Sequence, residues 1–154
     1  MLTPEMKRLI GEQPLGFLAT VTPDGMPSVS PKGTFTVLDD ATIAFGEIRS
    51  PGTIRNLQAN PNIDVNFVDP FTRKGCRISG AATVVKRGAD GFDALLARLN
   101  TALAPRIRAI VVIAVAKALP LSSPSYDDGA TEERLRKTWT TRFRKLQPQQ
   151  RWAE

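Results

Sequence analysis

The sequence predicts a mainly β fold, a small six-stranded antiparallel β-barrel with flanking helices packed against its outside. The first observation is that six segments rich in Val, Ile, Thr and Phe are separated by turn residues. The second is that segments with apolar residues at helical spacing lie among them. Most connections are short, and no Gly-, Ser- or Pro-rich linker divides the chain. We therefore expect a single domain that spans residues 1–154.

The composition is that of a globular protein, with 42% hydrophobic and 23% charged residues. The longest apolar run, residues 109–116, is too short to cross a bilayer. Residues 1–13 lack the long apolar segment of a signal peptide. We therefore expect a cytoplasmic protein.

Reactive side chains are scarce, because the sequence has no His, one Cys and one Tyr. This excludes Ser-His-Asp and Cys-His catalysis, and it predicts no His-based or multi-Cys zinc site. Any reaction must depend on carboxylates and lysines or on a bound cofactor, so no catalytic residue is assigned. For Cys76, which follows a basic loop, packing in a strand is the favoured role.

The net charge of +6 is most concentrated in the last segment of the chain. The cations of that segment are Arg134, Arg136, Lys137, Arg142, Arg144, Lys145 and Arg151. Trp139 and Trp152 are the only indoles near them, and this pattern favours a solvated helix face. The alternative is nucleic-acid binding, which predicts retention on DNA or RNA that falls steeply with salt.

The first elements in order are a helix and a hairpin. The helix is predicted to begin with Thr3 as its N-cap and Pro4 at its first position, and to end near Gly11. Residues 15–21 and 27–38 are strands, and the intervening TPDG turn predicts that they pair antiparallel.

The second strand of this hairpin alternates between two kinds of side chain. One side carries Ser28, Ser30, Lys32, Thr34 and Thr36, and the other carries Val29, Pro31, Gly33, Phe35 and Val37. Two interpretations stay open for the polar side: a solvent-facing strand, or a wall for an anionic ligand. Pro31 and Gly33 slightly favour the ligand, because Pro cannot donate to a ladder and Gly often marks close approach of the backbone.

Residues 42–47 form a third strand, and a short helix follows from Pro51 to about Ala59. Ser50 is a suitable cap, yet the first turn has no Asp or Glu to balance its exposed amides. Such amides, together with the helix dipole, attract phosphate. The surrounding donors are Ser50, Thr53, Arg49 and Arg55, with Ser30 and Lys32 on the adjoining hairpin and Gly46 leaving room for a ligand. Taken alone, the turn is more typical of a simple helix cap.

The second half of the chain predicts two more strands at residues 63–69 and 76–86, with a bulge or bend at Gly80. A helix within residues 88–103 follows, and residues 107–118 form the last buried strand. The apolar side of that helix comprises Phe92, Leu95, Leu96, Leu99 and Leu103. A C-terminal helix begins after the cap Thr131, and its apolar stripe comprises Leu135, Trp139, Phe143 and Leu146.

The order of these elements resembles the FMN-binding split-barrel family typified by pyridoxamine 5′-phosphate oxidase. The resemblance lies in the polar strand with Lys32, the strand ending FGE, the short helix closing in NLQANPNIDV, and the segment RKGCRISGAATVV. It covers residues 14–87 and extends through residues 107–117. The implied fold is a split-barrel core at about 14–117 with a C-terminal helical extension at about 130–146.

The resemblance implies that FMN lies along the strand VSPKG, with its phosphate at the following turn and helix. The residues implied beside the ring are Ser30, Pro31, Lys32 and Gly33, with Phe45, Gly46 and Glu47 near it. The residues implied around the phosphate are Ser50, Thr53, Arg55 and Asn56. The family further implies a homodimer with each flavin in a cleft between subunits.

The implied function is an FMN-dependent oxidoreductase that passes electrons between a reduced donor and a small substrate. Gly52 and Thr53 stand where the oxidases have an Arg-Lys pair, and the His that grips pyridoxamine phosphate is absent. We therefore expect no pyridoxamine phosphate oxidase activity. The alternatives are a non-catalytic or stress-response module that binds flavin or another planar anion, and a deazaflavin-dependent reductase.

Overall fold

The computed structural model describes residues 1–147, in which four α-helices surround one seven-stranded antiparallel sheet. The strands are β1 (Gly16–Val21), β2 (Pro27–Lys32), β3 (Thr36–Asp39), β4 (Thr42–Glu47), β5 (Asn62–Val68), β6 (Lys74–Lys86) and β7 (Ala109–Ser122). The helices are α1 (Pro4–Glu12), α2 (Pro51–Ala59), α3 (Phe92–Leu99) and α4 (Glu132–Leu146). The predicted mainly β class is confirmed. Arg151 and Trp152 lie outside the described residues.

The strand order β2-β1-β5-β6-β7-β4-β3 places two consecutive strands at opposite edges of the sheet. Only residues 33–35 join β2 to β3, so the two edges lie within about 14 Å of each other. The sheet must therefore curl into a barrel that stays open along one seam. The single strand predicted over residues 27–38 is wrong, because its first half pairs with β1 and its second half pairs with β4.

Phe35, in the short link between the two edges, fills the barrel interior beside the open seam. Its ring centroid lies 5.0 Å from that of Phe45 and 4.8 Å from that of Phe67, and all three side chains are buried. The rest of the barrel interior includes Leu18, Ile43, Val65, Ile78, Val111 and Ile113. Burial of this apolar surface is the main source of stability for the barrel.

The hairpin of β1 and β2 presents its two sides in an unexpected sense. Ser28 and Ser30 are half-buried and Lys32 is buried, whereas Val29 and Pro31 are exposed. The polar side of β2 therefore faces inward, and the interpretation as a solvent-facing polar strand is wrong. Val29 and Pro31 lie on the outside of the barrel, whereas Phe35 and Val37, which were predicted on the same side, pack in or against the core.

Two further predictions concern β6 and α3. The register of β6 against β7 shifts between Ser79 and Gly80, which confirms the predicted bulge. Helix α3 ends at Leu99, because Asn100 adopts a left-handed conformation. Leu103 therefore lies beyond the helix and is largely exposed. The packed side of α3 joins Ile107 and Ile110 in a second apolar cluster.

Two of the three predicted cap residues, Thr3 and Thr131, make the expected side-chain hydrogen bond, whereas Ser50 at α2 does not. Thr3 Oγ1 accepts a hydrogen bond from Met6 N at 3.3 Å, and Thr131 Oγ1 accepts one from Arg134 N at 3.2 Å. Helix α1 contributes Met6 to the barrel interior. No helix within residues 1–147 is long and apolar enough to cross a membrane.

Helix α4 packs on the turn between β5 and β6. Lys74 Nζ lies 2.9 Å from Glu132 Oε2, and Arg136 Nη2 lies 3.6 Å from Asp69 Oδ2. Along its predicted apolar stripe, burial decreases from Leu135 (buried) through Trp139 and Phe143 (half-buried) to Leu146 (exposed). The contacts of α4 extend as far as Phe143, whose ring centroid lies 5.3 Å from that of Phe71, and the end of the helix is exposed.

Candidate functional site

Lys32 is the centre of a polar cluster between the end of β2 and the start of α2. Its ammonium donates to Ser30 Oγ and to Ser50 Oγ, each at 2.7 Å. The ammonium also lies 6.0 Å from the centroid of the Phe45 ring. The structure therefore brings together two segments that are separated in sequence, the strand VSPKG and the turn before α2.

The charge of Lys32 is held in an unfavourable environment. The residue is only 6% exposed, and this burial lowers the pKa of its ammonium below the ordinary value, while the nearby Glu47 carboxylate opposes the shift. Glu47 and the two hydroxyls therefore compensate the buried ammonium only in part, so the cluster can accommodate the charge of an added anion.

Glu47 provides the carboxylate that the first turn of α2 lacks. Its Oε1 accepts a short hydrogen bond from Ser50 N, and its side chain is buried. No side chain caps α2 from the Ser50 position itself. The negative charge at the start of α2 thus comes from Glu47 at the end of β4. One of the exposed amides that we expected a phosphate to bind is already hydrogen-bonded within the protein.

The remaining residues predicted around a phosphate divide between the interior and the surface. Thr53 and Asn56 are buried, and Asn56 Nδ2 donates to Thr20 Oγ1 at 3.0 Å. Arg49 and Arg55 are exposed at the two ends of the first turn of α2. Asn56 therefore anchors α2 to β1, whereas the two arginines are free to approach an anion from solvent.

Gly46 has a packing role that its place in the sequence did not reveal. A Cβ on Gly46 would lie 2.8 Å from Ile107 Cγ1 and closer still to Ile107 Cδ1. Thr34 Oγ1 accepts from Gly46 N and donates to Gly46 O, each at 2.9 Å. By contrast, a Cβ on Gly33 meets no atom within 4 Å. Gly33, with exposed Pro31 beside it, is the glycine that leaves open space near Lys32.

Sequence reasoning missed Thr20, and it placed Thr34 on the polar side of the strand without its contact with Gly46. Thr20 in β1 contacts Asn56, and Thr34 in the link after β2 contacts Gly46. No local sequence motif predicts either contact. Outside this cluster, sequence reasoning assigned Cys76 correctly. Cys76 is fully buried, and burial raises the pKa of its thiol to about 11. Packing, as favoured, is therefore its role rather than reactivity.

The curled sheet with its inward-facing lysine defines a split-barrel protein with a buried cationic cluster at the start of α2. The chain belongs to the pyridoxamine 5′-phosphate oxidase family, whose model matches residues 2–122. A comparison with curated proteins yields no match.

Solved structures of similar proteins share this fold. HupZ from Group A Streptococcus is 32% identical with a TM-score of 0.68, covering 80% of this chain and 96% of HupZ. An F420 reductase is 26% identical with a TM-score of 0.58, covering 77% of this chain and 98% of its own. An FMN-binding protein from Syntrophomonas wolfei subsp. wolfei is 19% identical with a TM-score of 0.65, covering 77% of this chain and 84% of its own. At that identity the last likeness concerns the fold alone.

Proposed function

We propose that this chain binds FMN and acts as an oxidoreductase between a reduced donor and a small substrate. The main support is the buried ammonium of Lys32, held by the hydroxyls of Ser30 and Ser50 at the start of α2. An ammonium, two hydroxyls and a helix N-terminus are the donor set that fits a phosphate. Membership of the oxidase family supports FMN as the molecule that carries this phosphate.

In this proposal each part of the cluster has a distinct task. The phosphate is bound by Lys32, Ser50 and the exposed Arg55. The buried carboxylate of Glu47 holds Ser50 in place by accepting a hydrogen bond from the backbone N–H of Ser50. The open side of Gly33 lets the ring lie against β2. When bound, FMN supplies an isoalloxazine ring that accepts and passes on electrons.

The test compares FMN with riboflavin, which has the same ring and no phosphate. In Lys32→Met, FMN affinity is expected to fall about 10- to 100-fold, because a charge-assisted hydrogen bond contributes roughly 1.5–3 kcal/mol. Riboflavin affinity should not change. Titrations that follow flavin fluorescence measure both.

Lys7→Met is the matched control, because Lys7 lies on α1 outside the cluster and forms an ion pair with Asp40 after β3. It should leave both affinities unchanged. If Lys32→Met binds FMN as tightly as the original protein, or loses riboflavin to the same extent, the phosphate assignment is wrong.

A deazaflavin is the second candidate ligand, favoured by the similarity to an F420 reductase at 26% identity. F420 also carries phosphate, so the Lys32 cluster suits both molecules. Parallel titrations with FMN and F420 distinguish them, and tighter binding of F420 would replace FMN in the proposal.

Catalysis is distinguished from simple flavin binding by turnover. The flavin-loaded protein should oxidise a reduced nicotinamide nucleotide in the presence of an electron acceptor, faster than free flavin does at the same concentration. A rate no higher than that of free flavin would favour the non-catalytic or stress-response module. The proposed setting of this activity is the cytoplasm.

We also propose a homodimer with the flavin at the subunit interface. The outer side of β1 and β2 exposes Phe17 by 49% and Val29 by 66%, and Pro31 lies beside Phe17 in the register. An exposed apolar surface on neighbouring strands is typical of an interface.

The oligomeric state tests this surface directly. Val29→Asp should shift the protein from dimer to monomer in sedimentation equilibrium. Leu146→Asp, at a similarly exposed leucine on α4, is the control and should leave the dimer intact. A monomeric original protein, or a dimer that persists in Val29→Asp, would contradict the assignment.

A further inference from the structure

A second polar site, which contains a buried donor without a partner in residues 1–147, lies at the turn between β5 and β6. A cleft of about 480 Å³ there is lined by Arg73, Ser122, Ser123, Ser125 and Trp139, together with apolar residues. None of these residues belongs to the Lys32 cluster or to the set predicted around FMN. The cleft therefore needs its own explanation.

Arg73 has a backbone conformation that long side chains rarely adopt, with a φ of 59°. Two hydrogen bonds fix this conformation: Arg73 N donates to Asp69 O at 2.8 Å, and Ser123 N donates to Arg73 O at 3.1 Å. Glycine or asparagine is the ordinary choice at such a position. An arginine held there suggests that its side chain has a task.

The guanidinium of Arg73 is stacked on Trp139, with its central carbon 3.4 Å from the ring centroid. Arg142 approaches the same ring to 5.3 Å, so two cations share one indole. The ion pairs found within residues 1–147 involve neither of these arginines. Arg73 Nε is buried and has no hydrogen-bond partner in that part of the chain.

These features leave a positive charge without a counter-charge and a buried donor without an acceptor. An unpaired buried donor is costly, and two like charges on one ring repel each other. A small anion in the cleft would relieve the repulsion. Stacking on Trp139 also fixes the plane of the Arg73 guanidinium. Two of its N–H groups are thereby oriented to donate in parallel to the two oxygens of a carboxylate or phosphate.

We propose that the Arg73–Trp139 cleft binds a small oxyanion group, a carboxylate or a phosphate monoester. Arg73 provides the charged fork, and the hydroxyls of Ser123 and Ser125, 3.2 Å apart, supply further donors. Because Trp139 lies on α4, occupancy of the cleft ties this helix to the β5–β6 turn. The C-terminal helix thereby becomes part of a ligand site.

Trp139 reports on its own cleft by fluorescence. The test protein carries Trp152→Phe, which leaves Trp139 as the single tryptophan, and Lys32→Met, which removes the competing anion site. Inorganic phosphate and succinate are titrated separately at constant ionic strength. The tighter of the two identifies the preferred oxyanion.

A saturable change in Trp139 emission is expected with one of these anions. Arg73→Asn should weaken it about 10- to 100-fold, the effect of losing a charge-assisted hydrogen bond, and asparagine tolerates the positive φ. Arg77→Asn, on the outer side of β6, should leave it unchanged. No saturable response to either anion, or equal affinity in Arg73→Asn, overturns the proposal. If circular dichroism shows that Arg73→Asn is unfolded, Arg73→Gly takes its place.

Discussion

Gly46→Ala tests whether the glycine at the end of β4 serves packing or ligand approach. The added methyl group would lie 2.8 Å from Ile107 Cγ1, against an ordinary carbon–carbon separation of about 3.5–4.0 Å. Ile107 is fully buried, so it has little room to yield. Overpacking of this kind costs about 1–3 kcal/mol. For a chain of this length, this predicts a loss of roughly 2–12 °C in Tm.

Gly33→Ala is the matched control for Gly46→Ala, because its Cβ meets no atom within 4 Å. Both substitutions reduce the freedom of the unfolded chain by the same amount, so the difference in their unfolding free energies isolates the clash. Urea denaturation followed by circular dichroism measures both variants. In the double variant Gly46→Ala with Ile107→Ala, the new methyl group should partly fill the cavity, so the two losses should not add.

Flavin affinity supplies the second readout for Gly46→Ala. Because the methyl group points at Ile107, we expect FMN to bind the folded variant as tightly as it binds the original protein. If Gly46→Ala is as stable as Gly33→Ala but loses FMN, the packing argument is wrong and Gly46 faces the ligand. Additive losses in the double variant would also refute it.

Three other predictions concern Lys32, the β6 bulge and the cap of α4. Because burial lowers the pKa of Lys32, FMN affinity should decline with rising pH before the ordinary lysine range is reached, while riboflavin affinity stays flat. Over the same pH interval the ligand-free protein should become more stable as the pH rises, because Lys32 keeps its proton in the unfolded state and loses it in the folded state. Lys32→Met should abolish both trends. Flavin titrations and urea melts at a series of pH values measure them. Gly80→Ala should destabilise more than Gly46→Ala in the same melts, because its Cβ meets the backbone oxygen of Ala114, which cannot rotate away; equal stability would contradict this. Thr131→Ala should cost about 1 kcal/mol if α4 is part of the cooperative unit, and an unchanged urea midpoint would show that α4 unfolds separately.

Local signals in the sequence predicted most of the elements. Thr3 and Thr131 lie before helices with the expected cap geometry, and the Gly80 bulge falls within a strand of the predicted type. Alternation of side chains assigned the two sides correctly as far as Lys32, but not for Phe35 and Val37, which pack in or against the core. These features depend on residues near each other in the chain, which is why they can be read without the fold.

Features that depend on distant pairing could not be predicted in the same way. The break after Lys32 arises because β2 and β3 join different neighbours, and the inward direction of the polar side depends on where α2 lies. Glu47 was placed near the flavin by resemblance, but its bond to Ser50 N lies outside the usual helix-start pattern. The contact of Arg73 with Trp139 joins elements far apart in the sequence.

The three-residue link that joins β2 to β3 has a consequence for how ligand binding is transmitted. Lys32 is the last residue of β2, and Phe35 is the last residue of the link. The Phe35 ring packs on Phe45 and Phe67 inside the barrel, next to the two unpaired strand edges. A ligand that restrains Lys32 therefore also restrains the closure of the sheet. Amide protons along the free edges of β2 and β3 should therefore exchange with solvent more slowly when a ligand occupies the Lys32 cluster. In that case ligand binding sets how often the two edges of the sheet separate.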